Sequence, residues 1–175
     1  MTSQSSFIEA LTSERPDLDR GERLGLYAFL VGRWRMDAVG YADDGRRFTA
    51  RGEIHAQWVL AGRALQDVWI LPARDEPPSD LPAPFRFYGS TLRVYDPALD
   101  AWHILWSDAL RPLFRRQIGR ARGADIVQEG DIDGGGKSRW SFTEITPSSF
   151  HWLGERSMDG GATWNLLTEY FARRT

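Results

Sequence analysis

The chain has no cysteine and a single lysine, Lys137. Without cysteine there is no disulfide, no thiolate nucleophile and no sulfur ligand for a metal. Arginine supplies the remaining positive charge and the formal net charge is −2, so no basic field argues for nucleic acid or an anionic membrane surface as partner. No apolar run approaches the roughly 18 residues that a membrane-spanning helix needs. Residues 1–9 show neither the basic nor the apolar region of a secretory signal, and a cytoplasmic location is expected. The Gly-x-Ser-x-Gly elbow, the P-loop and the dinucleotide fingerprint are also missing, which argues against triad chemistry and phosphate cradling.

What is there fits one core: 175 residues, 42% apolar and 26% charged, in the range of an ordinary globular domain. Aromatic residues are abundant at 13%, with eight Trp. They suit twisted β surfaces and equally an aromatic pocket. Residues 1–21 read as a polar N-terminal segment and 22–175 as one β-barrel domain. Leu24, Tyr27, Leu30 and Val31 recur at helical spacing over Glu22–Val31, which Gly32 ends. From Trp34 onward the period changes to two: Trp34, Met36 and Ala38 alternate with Arg33, Arg35 and Asp37, the pattern of a half-buried strand. Phe48–Leu60 continues it, with Ile54, Ala56 and Trp58 on one face and Glu53, His55 and Gln57 on the other. Turn signals at Asp43–Gly45, Asp96–Asp100, Gly134–Gly136 and Thr146–Ser148 separate about ten strands, the rhythm of an antiparallel up-and-down barrel. Pro72–Pro84 holds five prolines. It is expected to be an exposed loop at the open rim, away from the helical segment.

Ser157–Trp164 matches Ser-x-Asp-x-Gly-x-Thr-Trp, a pattern that builds a hairpin turn; it occurs once, and its expected role is structural. Asp131–Gly134 lacks the further oxygen ligands of a calcium loop and reads as a hairpin tip. His55, His103 and His151 lie on separate strands and are expected outside any metal site. The chemical candidates are carboxylates within the strand pattern, Asp67, Asp108, Glu129, Glu144 and Glu169, of which the first three are the candidate bases. One of them facing an aromatic lumen would be desolvated and could act as a base, whereas an Arg partner would make it an ordinary ion pair.

Leu30-Val31-Gly32-Arg33-Trp34, set after a short helix and opening the first strand, resembles the Gly-x-Trp opening of lipocalins and related calycin barrels. The tail (Phe150-His151-Trp152, Asp159-Gly160-Gly161, Thr163-Trp164 and Tyr170-Phe171-Ala172-Arg173) is similar to that of uncharacterised bacterial lipocalin-like families. The resemblance spans residues 24–174. It implies that Trp34 packs into the closed end, that Arg173 or Arg174 stacks across it, and that a small apolar ligand occupies the open end. Haem-binding nitrobindin-like barrels also open with Gly-x-Trp but place Gly two residues further on, where this chain has Met36.

The expected fold is therefore an all-β, single antiparallel barrel of about ten strands with an N-terminal helical segment capping one end. The leading functional expectation is non-catalytic binding of a small apolar or aromatic molecule in the lumen. Trp58, Trp69, Tyr88, Trp106, Trp152 and Tyr170 are the expected lining, with Arg139 and Arg156 for a ligand carboxylate. No cofactor and no metal are expected. The alternative is an isomerase, cyclase or hydrolase whose base is Asp67, Asp108 or Glu129. A third reading is a homodimer module with a filled core.

Overall fold

The last barrel strand returns to the first. In the computed structural model, which describes residues 3–77 and 80–175 apart from the side chains of 3–5 and 20, α1 (Ser3–Leu11) leads into a two-residue strand β1 (Thr12–Ser13). Ten longer strands follow: β2 (Gly32–Tyr41), β3 (Arg47–Val59), β4 (Ala64–Leu71), β5 (Phe87–Asp96), β6 (Ala101–Asp108), β7 (Leu113–Arg122), β8 (Asp125–Ile132), β9 (Gly136–Thr143), β10 (Ser149–Ser157) and β11 (Asn165–Arg174). Each pairs antiparallel with the next, and β11 pairs with β2, Arg174 opposite Trp34 and Thr168 opposite Gly40. Closure removes the open sheet edges that would otherwise need protection. β1 pairs with the end of β3 beyond the residues that β2 covers, with Thr12 opposite Val59.

The capping segment differs in kind from the helix that the sequence suggests. Leu18–Leu30 is 3-10 helical, broken at Gly21 where φ is 68°, and Asp17 caps its start by accepting the Asp19 N–H at 3.0 Å. The spacing explains this. A 3-10 helix has three residues per turn, so Leu24, Tyr27 and Leu30 stack on one line, and all three are buried. They enter the barrel mouth as a wedge. Tyr27 reaches deepest, meeting Trp102 edge-on at 5.0 Å and donating its hydroxyl to Gln128 at 3.0 Å. Gly119 makes room for it, because a Cβ there would lie 2.3 Å from the Tyr27 hydroxyl.

The Pro72–Pro84 segment leaves β4 at the end opposite this plug, but it is less exposed than expected. Ala73 and Leu81 are buried. The Ala73 N–H donates to Arg51 at 2.9 Å, so the chain extends the sheet briefly past β4. Ala83–Phe85 forms a short 3-10 turn, and the Phe85 ring packs 5.1 Å from that of Phe48. Apolar residues among the prolines therefore fold part of the loop back onto the barrel; Pro78 and Ser79 fall outside the described residues.

The Ser157–Trp164 pattern makes the expected turn. Asp159 accepts from the Thr163 N–H at 2.9 Å, the Thr163 hydroxyl at 2.6 Å and the Ser157 hydroxyl at 2.7 Å. Those donors hold its carboxyl well below the usual range.

Candidate functional site

Alternation along the strands sends one side chain in two into the lumen. Near the plugged end that space is filled. Above Tyr27, Phe142 and Phe150 the barrel carries a buried ion pair: Arg93 of β5 donates through Nη1 to Asp67 of β4. The Asp67 carboxylate also accepts the Thr91 N–H at 3.2 Å. Arg93 lies 5.1 Å over the Tyr27 ring and 5.8 Å over that of Phe142. This charged layer is the floor of a cavity.

Above it the lumen opens into a space of about 480 Å³ with Trp69, Phe87, Trp106, Trp140, Trp152 and Tyr170 in its walls. Trp152 and Tyr170 lie parallel, 4.7 Å apart with 7° between planes. Trp140 meets Trp106 at a right angle, 6.1 Å away. Gly89 admits the Trp106 indole, since a Cβ there would fall 2.3 Å from its ring. Burial pushes the Tyr170 phenol up to about 12, so it is a neutral hydroxyl at physiological pH. Tyr41, Asp43 and Phe85 line the outer part of the cavity with Arg111, Arg115 and Arg156.

Five of the residues named from sequence meet here: Trp69, Trp106, Trp152, Tyr170 and Arg156. Three others do not. Tyr88 is on the outer face and 43% exposed. Arg139 also points outward, its guanidinium 3.7 Å over the Trp164 ring and bonded to Glu129 at 2.7 Å. Both are one residue out of phase with inward neighbours, Phe87 and Trp140. Trp58 is buried nearer the plugged end, opposite Ser13 and Leu65, and belongs to the core below the cavity. The strongest polar feature of the lumen, Arg93, and the Trp140 wall were not foreseen. The Ser138, Trp140, Phe142 alternation was the available signal for Trp140.

The three carboxylate candidates are engaged elsewhere. Glu129 pairs with Arg139 outside the barrel, which corrects the lumen placement considered above. Asp67 is inside, with both oxygens committed to Arg93 and Thr91. Asp108 is also buried. It accepts the Leu110 N–H at 3.0 Å and the Arg111 Nε at 2.6 Å, an arrangement that closes the β6–β7 turn. The histidines lie on the outer face, each on a carboxylate: His55 with Glu53, His103 with Asp96 and His151 with Glu169. Among the described residues no cluster of three or more His, Asp or Glu is placed to hold a metal.

No protein-family model matches the chain, and no curated protein does. Solved structures do. The S-type phycobiliprotein lyase CPES from Guillardia theta superposes with a TM-score of 0.61 at 13% identity, over 91% of this chain and 98% of that one. Rv2717c from M. tuberculosis superposes with a TM-score of 0.56, also at 13% identity, over 87% and 97%. The fold is a calycin-like barrel. At that identity the likeness concerns the path of the chain, and the lumen residues must be read on their own chemistry.

Proposed function

We propose that the protein binds a small, largely aromatic molecule in the open half of its barrel, without catalysing a reaction on it. The observation that carries this reading is the cavity of about 480 Å³ walled by Trp and Tyr side chains above a closed, plugged base. Its size falls within the roughly 300–1,000 Å³ of ordinary ligand sites. Apolar surface removed from water there contributes about 25 cal/mol per Å². Flat indole faces at several angles favour a planar guest over a flexible chain. That a phycobiliprotein lyase uses a barrel of the same shape supports a ligand-handling role for the fold. The enzymatic alternative has less support, because Asp67 is held by the buried Arg93 and Asp108 by Arg111 of the β6–β7 turn.

The test is quenching of tryptophan fluorescence by a panel of aromatic acids, fatty acids and haem. At least one aromatic member should titrate to saturation with one site per chain. Thr168→Trp, which puts an indole into the cavity from its wall, should abolish that titration while leaving the far-ultraviolet circular dichroism of the barrel intact. If no member saturates, the binding role is wrong.

A further inference from the structure

The lumen has two polar ends, and they are built for different partners. At the floor, Arg93 is 1% exposed and its charge is already matched by Asp67. A second carboxylate brought to it would stand beside the buried Asp67 carboxylate, where like charges repel strongly and desolvation is uncompensated. Arg93 Nε and Trp69 Nε1 are both buried with no hydrogen-bond partner. Neither atom presents surface to the cavity, so the floor does not offer them to a ligand.

The mouth is different. Arg115 lies on the inward face of β7, two residues before the buried Gln117, and lines the cavity. Among the described residues its side chain makes no hydrogen bond or ion pair, and Asp133 attracts it only at longer range. Partial burial strips water from its guanidinium and lowers its pKa. Arg156 lines the same cavity from β10. Its Nε is buried and unpartnered, and its Nη2 lies 3.6 Å from Asp43, whose side chain is 89% exposed. An ion pair that open to solvent competes weakly for the guanidinium. The nearby Glu155 lies 3.9 Å from Arg139 Nη1. Arg111, by contrast, is committed to Asp108 and to the Pro84 carbonyl at 2.7 Å.

We infer that the ligand is an aromatic anion, bound with its acid group at the mouth between Arg115 and Arg156. This rests on the reading of the lumen as a ligand site. Planar guanidinium donors suit a carboxylate and gain strength from its charge. The aromatic body then lies against Trp106, Trp140 and Trp152 between the two ends.

Two fluorescent probes that share one skeleton separate these ideas: 1-anilinonaphthalene-8-sulfonate, an anion, and N-phenyl-1-naphthylamine, its uncharged counterpart. The wild-type protein should bind the anion about tenfold more tightly at low ionic strength, the effect of one good charged contact, and raising the salt should narrow that margin. Arg115→Gln and Arg156→Gln should each weaken the anion about fivefold to tenfold and leave the neutral probe within about twofold; retained neutral binding also shows that the variant is folded. Equal binding of both probes by the wild type overturns the charge preference and leaves the lumen reading standing. So does a parallel loss of both probes in the variants, which would assign the arginines to cavity shape. If the wild type binds neither probe, the lumen reading itself fails, and this inference with it.

Discussion

The Arg174 guanidinium covers the indole of Trp34, 4.2 Å from its ring. The two residues sit opposite each other where β11 meets β2, so the contact joins the last strand to the first. The same guanidinium donates to the carbonyls of Phe29, Val31 and Pro147, at 2.7, 2.7 and 2.8 Å. Trp34 in turn donates its Nε1 to the Leu30 carbonyl at 2.8 Å. One pair of side chains thus satisfies the frayed carbonyls at the end of the plug and fastens it to the barrel seam. The stacking Arg that the Gly-x-Trp resemblance implies is therefore Arg174; Arg173 points outward toward Asp37.

Trp34→Ala should lower stability by about 3–5 kcal/mol, as for other buried aromatic truncations. Arg174→Ala should cost less, about 1–2 kcal/mol, because its partners can partly recover water. A double-mutant cycle by urea denaturation should return a coupling of at least about 0.5 kcal/mol, the lower end for residues in contact. Additive costs would mean that the two residues act separately.

Asp67 and Arg93 offer a sharper contrast between structure and catalysis. Asp67→Asn leaves a buried guanidinium without its counter-charge, and should destabilise the protein by about 3–5 kcal/mol. The double replacement Asp67→Leu with Arg93→Leu should recover much of that loss, because an apolar pair of suitable volume replaces a buried ion pair at little cost. Guanidinium denaturation of the three variants measures this directly. A fully stable Asp67→Asn would contradict the ion-pair role and reopen the case for Asp67 as a base.

The strand count and the hairpin positions were legible because turn residues punctuate the chain at regular intervals. Trp34 was legible because two periods change at it. The direction of each side chain was harder to read, and β5 shows why. Its outward positions Leu92 and Val94 are apolar and half-buried, while Thr91 and Arg93 face the lumen. A barrel that buries charge inside and leaves aliphatic surface outside inverts the usual polarity of the alternation, so phase read from hydrophobicity fails on that strand. The same ambiguity put Arg139 in the lumen in place of Trp140. The identity of Arg93 as a floor depends on Asp67 of the neighbouring strand, a pairing that no local spacing encodes.

Stability should fall at both ends of the pH range for separate reasons. The side chain of Arg74, followed by its backbone N–H and by His55, holds the Glu53 carboxyl well below its ordinary value against the opposing effect of burial. A depressed carboxyl stabilises the fold fully above the unfolded value of about 4.3, and that contribution is lost as pH drops below it. Glu53→Gln should therefore flatten the acid limb of a stability curve. Burial raises the phenols of Tyr27 and Tyr170. Their contribution is complete below the unfolded value of about 10 and declines above it, because the unfolded chain can ionise where the folded one cannot. Tyr170→Phe should reduce that alkaline decline, with Tyr27 supplying the remainder. Urea midpoints measured from pH 2.5 to 11 check both limbs.

The proline-rich wall yields the last prediction. Because Leu81 is buried and Arg74 binds Glu53, replacing Arg74–Pro82 with a short Gly-Ser turn should lower stability measurably. A narrower change tests the role of the wall in ligand passage. Phe85 lines the mouth, packs on Phe48 and covers Gly40, where a Cβ would lie 2.3 Å from its ring. Its backbone neighbourhood is anchored independently, because Arg111 holds the Pro84 carbonyl at 2.7 Å. Phe85→Ala should thus remove a half-buried ring at about 1–2 kcal/mol, less than a full core truncation, and widen the mouth without releasing the segment. Stopped-flow mixing with N-phenyl-1-naphthylamine should then show association faster by about threefold or more, since steric gating of a mouth acts on entry and exit together. A variant that loses stability while its association rate stays unchanged would show that the guest enters past another part of the rim, on the side of the β6–β7 or β10–β11 turns.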